Sequence, residues 1–285
     1  MEQVMDFTDF QLYVRTIGEG SPIVCLHGGP GGTHEFFLSF AQKIKDRHQV
    51  VLYDQMGCGR SSRSKEYTIE KEVEVLERLR KKLGLEQMTL MGESWGSMLA
   101  LAYASAYPQY TKRIFLTAAI GVHHQSYHQF KKQLLHKLSN SQKFKLGLYS
   151  VLNGMGMDAS HRIEKLLDPF YVYDKNVLER KTSIEYNPDV QRQLSKEIEL
   201  KFDLIPALHS LSHTPILIAQ GSHDVLSPDY IEDVFGEYLP HAEVVTVDKS
   251  GHWTILEQPD VMVDLLQDFI QSDKKKSDQQ LFPGK

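Results

Sequence analysis

The stretch Met88-Thr89-Leu90-Met91-Gly92-Glu93-Ser94-Trp95-Gly96-Ser97 decides the fold of this chain. Three of its first four residues are apolar, and these four predict a buried strand, whereas residues 95–107 are rich in alanine and leucine and predict a helix. The five residues 92–96 between them fit the pattern Gly-x-Ser-x-Gly. A strand-to-helix turn of this kind strains the serine backbone and leaves room only for small residues two positions before and after it. We therefore interpret Ser94 as a nucleophile displayed on this turn.

On both sides of this turn, short apolar runs alternate with longer amphipathic segments. Residues 2–7 and 11–17 predict an antiparallel pair of strands. The other predicted strands are 23–26, 49–53, 88–91, 113–117, 215–219 and 243–247, and the main helices are 34–45, 68–83, 95–107 and 259–271. This alternation predicts an α/β protein with a mostly parallel eight-stranded sheet and helices on both faces.

The alternation is interrupted over residues 122–205, which are polar and helical in character and contain no buried-strand run. We interpret this segment as a helical cap over the carboxyl ends of the strands. The core domain then comprises residues 1–121 and 206–272. Residues 273–285 carry a lysine run and two glutamines, and we expect a flexible tail there.

A serine hydroxyl is a weak nucleophile until a base removes its proton. Asp224 lies in the loop after strand 215–219, and His252 lies in the loop after strand 243–247. Parallel strands deliver their carboxyl ends to one edge of the sheet, so both loops should meet Ser94. The chain order serine, acid, histidine is that of the α/β-hydrolase fold, with His252 as base and Asp224 as its orienting acid. Three other aspartates are poorer candidates by position: Asp203, Asp229 and Asp248.

The glycine-rich run His27-Gly28-Gly29-Pro30-Gly31 follows the strand at 23–26. In this fold, the loop at this position and the residue after the nucleophile supply backbone N–H groups that stabilise a developing oxyanion. Pro30 has no N–H to give. We therefore predict an oxyanion hole formed by the N–H groups of Gly29 and Trp95.

Composition and charge exclude several classes of function. A net charge of −5 gives no electrostatic reason to expect nucleic acid or an anionic membrane as a partner. The two cysteines are too few for a disulfide framework, and residues 1–6 have neither the basic start nor the apolar core of a secretory signal. We therefore expect a cytoplasmic protein. His123, His124 and His128 have no carboxylate at matching spacing, so we interpret them as part of a polar surface rather than as a metal site.

Three motifs together resemble the proline iminopeptidase family of α/β-hydrolases. They are His27-Gly28-Gly29-Pro30-Gly31, Asp54-Gln55-Met56-Gly57-Cys58-Gly59-Arg60-Ser61 and Gly92-Glu93-Ser94-Trp95-Gly96-Ser97. The second motif is the most specific of the three. The resemblance implies removal of an N-terminal residue, often proline, from short peptides, without metal or cofactor.

The sequence departs from that family at positions next to the predicted catalytic residues. Val225 stands where some relatives have a glutamate, and Glu93 stands where the family often has glycine. The resemblance implies that cap carboxylates bind the free α-amino group, and the candidates are Glu185, Glu197 and Glu199. Tyr171, Tyr173 and Tyr186 either line the pocket or pack the cap.

Three functions stay open. The first is an exopeptidase acting on short peptides through an acyl-enzyme. The second is an esterase, lactonase or amidase acting on a small acyl substrate with the same three catalytic residues. The third is a hydrolase-fold receptor for a small ligand. The sequence leaves the oligomeric state open.

Overall fold

A computed structural model describes residues 1–155, 157, 159–182 and 185–281, with side chains described as far as residue 271. The described residues contain one sheet of eight strands in the order β1-β2-β4-β3-β5-β6-β7-β8. The strands are β1 Glu2–Asp6, β2 Gln11–Ile17, β3 Ser21–Leu26, β4 His48–Tyr53, β5 Met88–Glu93, β6 Thr111–Thr117, β7 Ile216–Gly221 and β8 Glu243–Val247. The pairs β1–β2 and β2–β4 are antiparallel, and the others are parallel. The predicted fold class is confirmed.

The central strands are buried on both faces, and their side chains divide between two apolar layers. In β3, Val24 and Leu26 belong to one layer, whereas Ile23 and Cys25 belong to the other. The same alternation continues in the neighbouring strands because side chains point to opposite faces along a strand. A strand that is buried on both faces is apolar along nearly its whole length, so it appears in the sequence as a continuous apolar run. The central strands could therefore be predicted from the sequence.

Helices cover both layers. The α-helices are α1 Leu38–Ile44, α2 Ile69–Lys82, α3 Trp95–Ala106, α4 His124–Lys137, α5 Asn140–Gly154, α6 Ser160–Leu167, α7 Pro188–Lys201, α8 Pro228–Tyr238, α9 Thr254–Glu257 and α10 Pro259–Leu281. Helices α1 and α10 pack on the layer that contains Ile23, and α2, α3 and α8 pack on the opposite layer. The predicted helix at 34–45 is divided into a 3₁₀ turn, His34–Phe37, and α1.

The inserted segment between β6 and β7 is helical in its described parts, with α4 to α7 and short 3₁₀ turns. It is continuous with the core rather than separate from it. Phe130 and Leu134 of α4 and Val190, Leu194 and Ile198 of α7 are buried in the same apolar layer as α3. The segment also reaches the loop after β8, because the ring of Phe130 lies 5.2 Å from that of His252. We keep the name cap for it.

The predicted flexible tail from residue 273 overlaps the end of α10, and residues 282–285 lie outside the described part of the chain. Across the described residues, none of the helices combines the length and the apolar character needed to cross a bilayer.

Candidate active site

Ser94 occupies the turn between β5 and α3 with φ 53° and ψ −116°, a backbone conformation that is strained for a residue with a side chain. Both flanking glycines are required by close contacts. A Cβ on Gly92 would lie 2.3 Å from the carbonyl oxygen of Gly96, and a Cβ on Gly96 would lie 1.9 Å from that of Leu26. The pattern Gly-x-Ser-x-Gly therefore has a steric cause, because this turn has no room for a side chain at position 92 or 96.

The three residues predicted to form a triad meet above the sheet edge. The Nε2 atom of His252 lies 2.9 Å from Ser94 Oγ, and its Nδ1 atom lies 2.7 Å from Asp224 Oδ1. His252 is 3% exposed and Asp224 is 6% exposed, so the chain of hydrogen bonds is shielded from water. A hydroxyl, an imidazole and a carboxylate in this order are equipped to move a proton from the hydroxyl to the imidazole.

The loop that carries His252 is held in place by groups that sequence reasoning missed. The His252 backbone N–H donates to the Tyr171 carbonyl at 2.7 Å, which ties the loop to the cap. The N–H of Gly251 donates to Glu257 Oε2 at 2.6 Å. On the acid side, Gln220 Nε2 donates to Asp224 Oδ2 at 2.7 Å. Sequence reasoning missed Glu257 and Gln220, although each lies within six residues of the group that it binds.

The charges around His252 determine its pKa. Burial by itself would lower the pKa, since a low-dielectric site disfavours the imidazolium. The negative charge of Asp224 and its hydrogen bond to the ring raise the pKa of His252, and the charge of Glu93 raises it further. The positive charge of Lys137 lowers it. The net result is a pKa raised above the ordinary value of 6.5.

The predicted oxyanion residues, Gly29 and Trp95, both line the space beside Ser94. Trp95 is the first residue of α3, where backbone N–H groups have no acceptor within the helix. Gln55 supports both sides of this space. Its Oε1 accepts from the Trp95 indole at 2.8 Å, and its Nε2 donates to the His27 carbonyl at 3.0 Å.

The second of the three motifs is a scaffold in this structure. Asp54 Oδ1 accepts from the backbone N–H of His34 at 3.0 Å, and Oδ2 accepts from that of Arg60 at 2.9 Å. The Ser61 hydroxyl donates to the Asp54 carbonyl at 2.6 Å. Cys58 is fully buried and burial raises the pKa of its thiol, so it is not available as a nucleophile. The motif holds the loop after β4 in place. Gln55 connects this loop to the glycine-rich loop through His27 and to the nucleophile turn through Trp95.

A cavity of about 230 Å³ lies above Ser94, between the sheet edge and the cap. The core contributes Ser94, His252 and the glycine-rich loop. The cap contributes both apolar and polar side chains, which include Tyr127, Phe130, Glu164, Asp168, Tyr171, Lys181, Tyr186 and Ile198. Of the three tyrosines left open by the sequence, Tyr171 and Tyr186 line the cavity, whereas Tyr173 is 47% exposed and its ring lies against His223.

The three cap glutamates chosen from the sequence do not line this cavity, and that prediction needs correction. Glu197 accepts from the backbone N–H of Ile69 at 3.0 Å and so caps the start of α2. Glu199 pairs with Lys131 at 2.9 Å, and Glu185 is exposed. Glu197 and Glu199 lie on α7, and helical spacing does not tell which face of a cap helix meets the core, so these two acids were misassigned.

Three other carboxylates line the cavity: Glu93, Glu164 and Asp168. Lys181 contacts two of them, since its Nζ forms an ion pair with Glu164 and lies 2.7 Å from Asp168. All three members of this group are largely buried, and Lys181 also lies over the ring of Trp253. The cavity therefore holds more carboxylates than lysines.

The histidines at the start of the cap do not assemble a metal site. The rings of His124 and His128 lie 6.0 Å apart, and His128 Nε2 lies 3.1 Å from the Glu199 carbonyl oxygen. Over the described ranges of the chain, the histidine, cysteine and carboxylate side chains form no group of three able to hold a metal ion.

Known proteins resemble this chain over nearly its whole length. It is 29% identical to the proline iminopeptidase of Lactobacillus delbrueckii subsp. lactis, with 94% of this chain and 97% of the relative covered. It is 26% identical to that of Clostridioides difficile (strain 630), with the same coverage of each. The resemblance to proline iminopeptidases is thus confirmed.

Solved structures share the fold at lower identity. The proline iminopeptidase of Mycobacterium smegmatis is 19% identical with a TM-score of 0.71, covering 97% of this chain and all of that one. A thermophilic esterase from Thermogutta terrifontis is 20% identical with a TM-score of 0.76, covering 95% and 98%.

The family described as alpha/beta hydrolase fold matches residues 21–259. This range runs from β3 past His252 and so includes strands β3 to β8, the cap and every residue of the predicted triad. Together with the curated relatives, it confirms the prediction of a serine hydrolase. The chain belongs to the α/β-hydrolase fold family.

Proposed function

We propose that this hydrolase acts through an acyl-enzyme on Ser94 and releases the N-terminal residue, proline among others, from short peptides. The single observation that carries the mechanism is the continuous hydrogen-bond chain from Ser94 through His252 to Asp224. The two curated relatives described above, both named proline iminopeptidase, support the substrate class.

The steps of the reaction follow from this geometry. Ser94 Oγ attacks the carbonyl carbon of the first residue while His252 Nε2 accepts the hydroxyl proton. The oxyanion is stabilised by the N–H groups of Gly29 and Trp95. The tetrahedral intermediate collapses, the C–N bond breaks, and His252 returns its proton to the leaving amine. A water molecule then repeats the sequence on the acyl-enzyme, releasing the free amino acid and restoring Ser94.

Asp224 keeps His252 in the tautomer that presents Nε2 to the serine, and it stabilises the imidazolium formed during each step. Its own position depends on Gln220. Burial of the pair strengthens the interaction, because a charge is screened less where water is excluded.

One observation favours a second candidate, an esterase, lactonase or amidase that takes a small neutral acyl group. Lys181 already occupies the space between Glu164 and Asp168, so an incoming ammonium group would compete with it for these two acids. In this second candidate the cap carboxylates serve only to anchor Lys181.

Covalent labelling tests the nucleophile. A fluorophosphonate probe should modify the native protein at Ser94, and Ser94→Ala should lose the label completely while keeping its thermal unfolding temperature. Ser97→Ala is a suitable control, because its hydroxyl donates to the Ser94 carbonyl at 2.6 Å and does not face the base. Undiminished labelling of the Ser94 variant would refute the assignment.

A substrate panel separates the two candidates. Prolyl and alanyl anilides should be cleaved with a kcat/KM at least tenfold above that for the same compounds acetylated at nitrogen. The opposite ranking, with short acyl esters cleaved and free aminoacyl anilides untouched, would support the second candidate.

A further inference from the structure

We propose that Glu93 receives the α-ammonium group of the substrate beside the carbonyl that Ser94 attacks. The inference rests on the proposed aminopeptidase function and deepens it, since it gives the selection of a free amino terminus to a residue of the core rather than of the cap.

Glu93 is the last residue of β5 and directly precedes Ser94. Its carboxylate lines the cavity. Oε1 lies 4.0 Å from His252 Nε2, the atom that also contacts Ser94 Oγ. Oε2 lies over Gly28, where a Cβ would come within 1.9 Å of it. The carboxylate is therefore placed between the base and the glycine-rich loop.

Within the described part of the chain, no lysine or arginine forms an ion pair with this carboxylate. Its side chain is 5% exposed. Burial raises the pKa of Glu93 to about 7, because a carboxylate with little water and no full counter-charge is costly to ionise. The other two cavity acids differ in this respect, since Lys181 contacts both of them. A cation supplied by the substrate would complete the site at Glu93.

The dimensions of an amino acid fit this position. The α-nitrogen lies two bonds from the carbonyl carbon, about 2.5 Å away. The carbonyl carbon must in turn approach Ser94 Oγ to about 3–3.5 Å before attack. An α-ammonium group is thereby confined to the immediate surroundings of Ser94 and His252, which is where the Glu93 carboxylate lies.

This placement explains how one carboxylate can select a free amino terminus. An acetylated terminus carries no charge and would leave the buried Glu93 carboxylate without a cation from the ligand, which disfavours binding of the acetylated compound. The preference is expressed in binding before any chemistry takes place. It can therefore be measured without turnover.

The experiment uses the full chain with Ser94→Ala, which removes the nucleophile and leaves the cavity. Calorimetry at pH 7.5 measures the Kd of L-prolinamide and of N-acetyl-L-prolinamide, with Glu93 intact, with Glu93→Gln and with Glu93→Gly. Glu185→Gln in the same background is the matched control, because it makes the same change in net charge at an exposed position.

With Glu93 intact, L-prolinamide should bind at least tenfold more tightly than the acetylated compound. Glu93→Gln and Glu93→Gly should each reduce that ratio at least tenfold, and Glu185→Gln should preserve it. A purely structural role would weaken both ligands alike and keep the ratio, which would overturn the inference. So would the absence of any preference when Glu93 is intact.

The proposed function can fail separately. If the native enzyme cleaves no aminoacyl anilide yet the ligand preference depends on Glu93, the ammonium site stands and the aminopeptidase assignment falls. If aminoacyl anilides are cleaved and the preference survives Glu93→Gln, the function stands and the assignment of Glu93 is wrong.

Discussion

The charged residues around His252 set the pH range in which the site can be active. Its imidazole lies against the carboxylate of Asp224 at 2.7 Å and faces that of Glu93 at 4.0 Å, and Lys137 of α4 contributes an opposing charge. The neutral imidazole is the form that accepts a proton from Ser94. A raised pKa therefore moves the loss of activity toward neutral pH.

The pH dependence of kcat/KM on an uncharged acyl ester tests this arrangement. Activity should fall as the pH drops through the His252 pKa, with a midpoint above 6.5, because protonation blocks the base. Glu93→Gln removes one of the charges that raise this pKa, so the midpoint should move to lower pH. Glu185→Gln should leave it in place. A midpoint that stays fixed or rises in the Glu93 variant would contradict the electrostatic account.

Among the helices, α2 shows how one element combines an apolar stripe with buried charge. Val73, Leu76 and Leu79 are buried in the core, and Thr68 caps the start of the helix by accepting from the Lys71 N–H at 3.2 Å. Glu77 of the same helix accepts two hydrogen bonds from Arg80 at 2.8 Å and one from Tyr103, which joins α2 to α3. Glu72 is different, because it is 1% exposed and its carboxylate accepts only a long hydrogen bond, 3.5 Å, from the Met56 N–H among the described residues.

Glu72→Gln should make the protein more stable at alkaline pH. Burial raises the pKa of Glu72 to about 8 in the folded protein, against 4.5 as the unperturbed value. The folded state therefore holds this proton more tightly, and stability is lost as pH rises from about 4.5 through about 8. For a pKa raised from 4.5 to about 8, the loss is on the order of 5 kcal/mol.

Urea unfolding at pH 5 and pH 8.5 measures this effect as a difference between the native protein and the variant. The variant should gain relative stability at the higher pH only. Glu70→Gln in the exposed first turn of the same helix should show no such gain. An equal change at both pH values would mean that Glu72 is not titrating in this window.

Viewed as a whole molecule, the cap and the catalytic loop are one hydrogen-bonded unit. Glu257 of α9 binds the Gly251 N–H through Oε2, and its Oε1 accepts from the backbone N–H groups of Tyr173 and Asp174 in the cap at 2.7 and 2.9 Å. The His252 N–H reaches the cap directly at the Tyr171 carbonyl. The position of the base thus depends on the seating of the cap.

Glu257→Ala should loosen both the loop that carries His252 and the cap segment at Tyr173 and Asp174. We expect kcat to fall about tenfold and the free energy of unfolding to fall on the order of 2 kcal/mol, because hydrogen bonds to a carboxylate are lost at three backbone N–H groups. Steady-state kinetics and urea unfolding measure the two effects. Asp260→Asn is the control, since its exposed ion pair with Lys43 should contribute under about 1 kcal/mol. Unchanged kcat in the Glu257 variant would show that the loop holds His252 without the cap.

The sequence by itself determined the sheet, the order of its strands along the chain and the identity of the serine turn. Each of these depends on local physics. Buried strands must be apolar, and a turn as tight as that at Ser94 admits only small residues at positions 92 and 96. The loops of Asp224 and His252 were predictable as well, because parallel strands place their following loops at a common edge.

Only the tertiary structure decided which acids face the cavity and what the scaffold residues do. Glu197 and Glu199 looked like substrate ligands on a polar helix, yet one caps α2 and the other pairs with Lys131. Glu93 was noticed only as a departure from a family pattern, and Glu257 carried no signal at all. These roles arise where segments distant in sequence pack together. A side chain there acquires its partner, its burial and its pKa from residues that no local pattern contains.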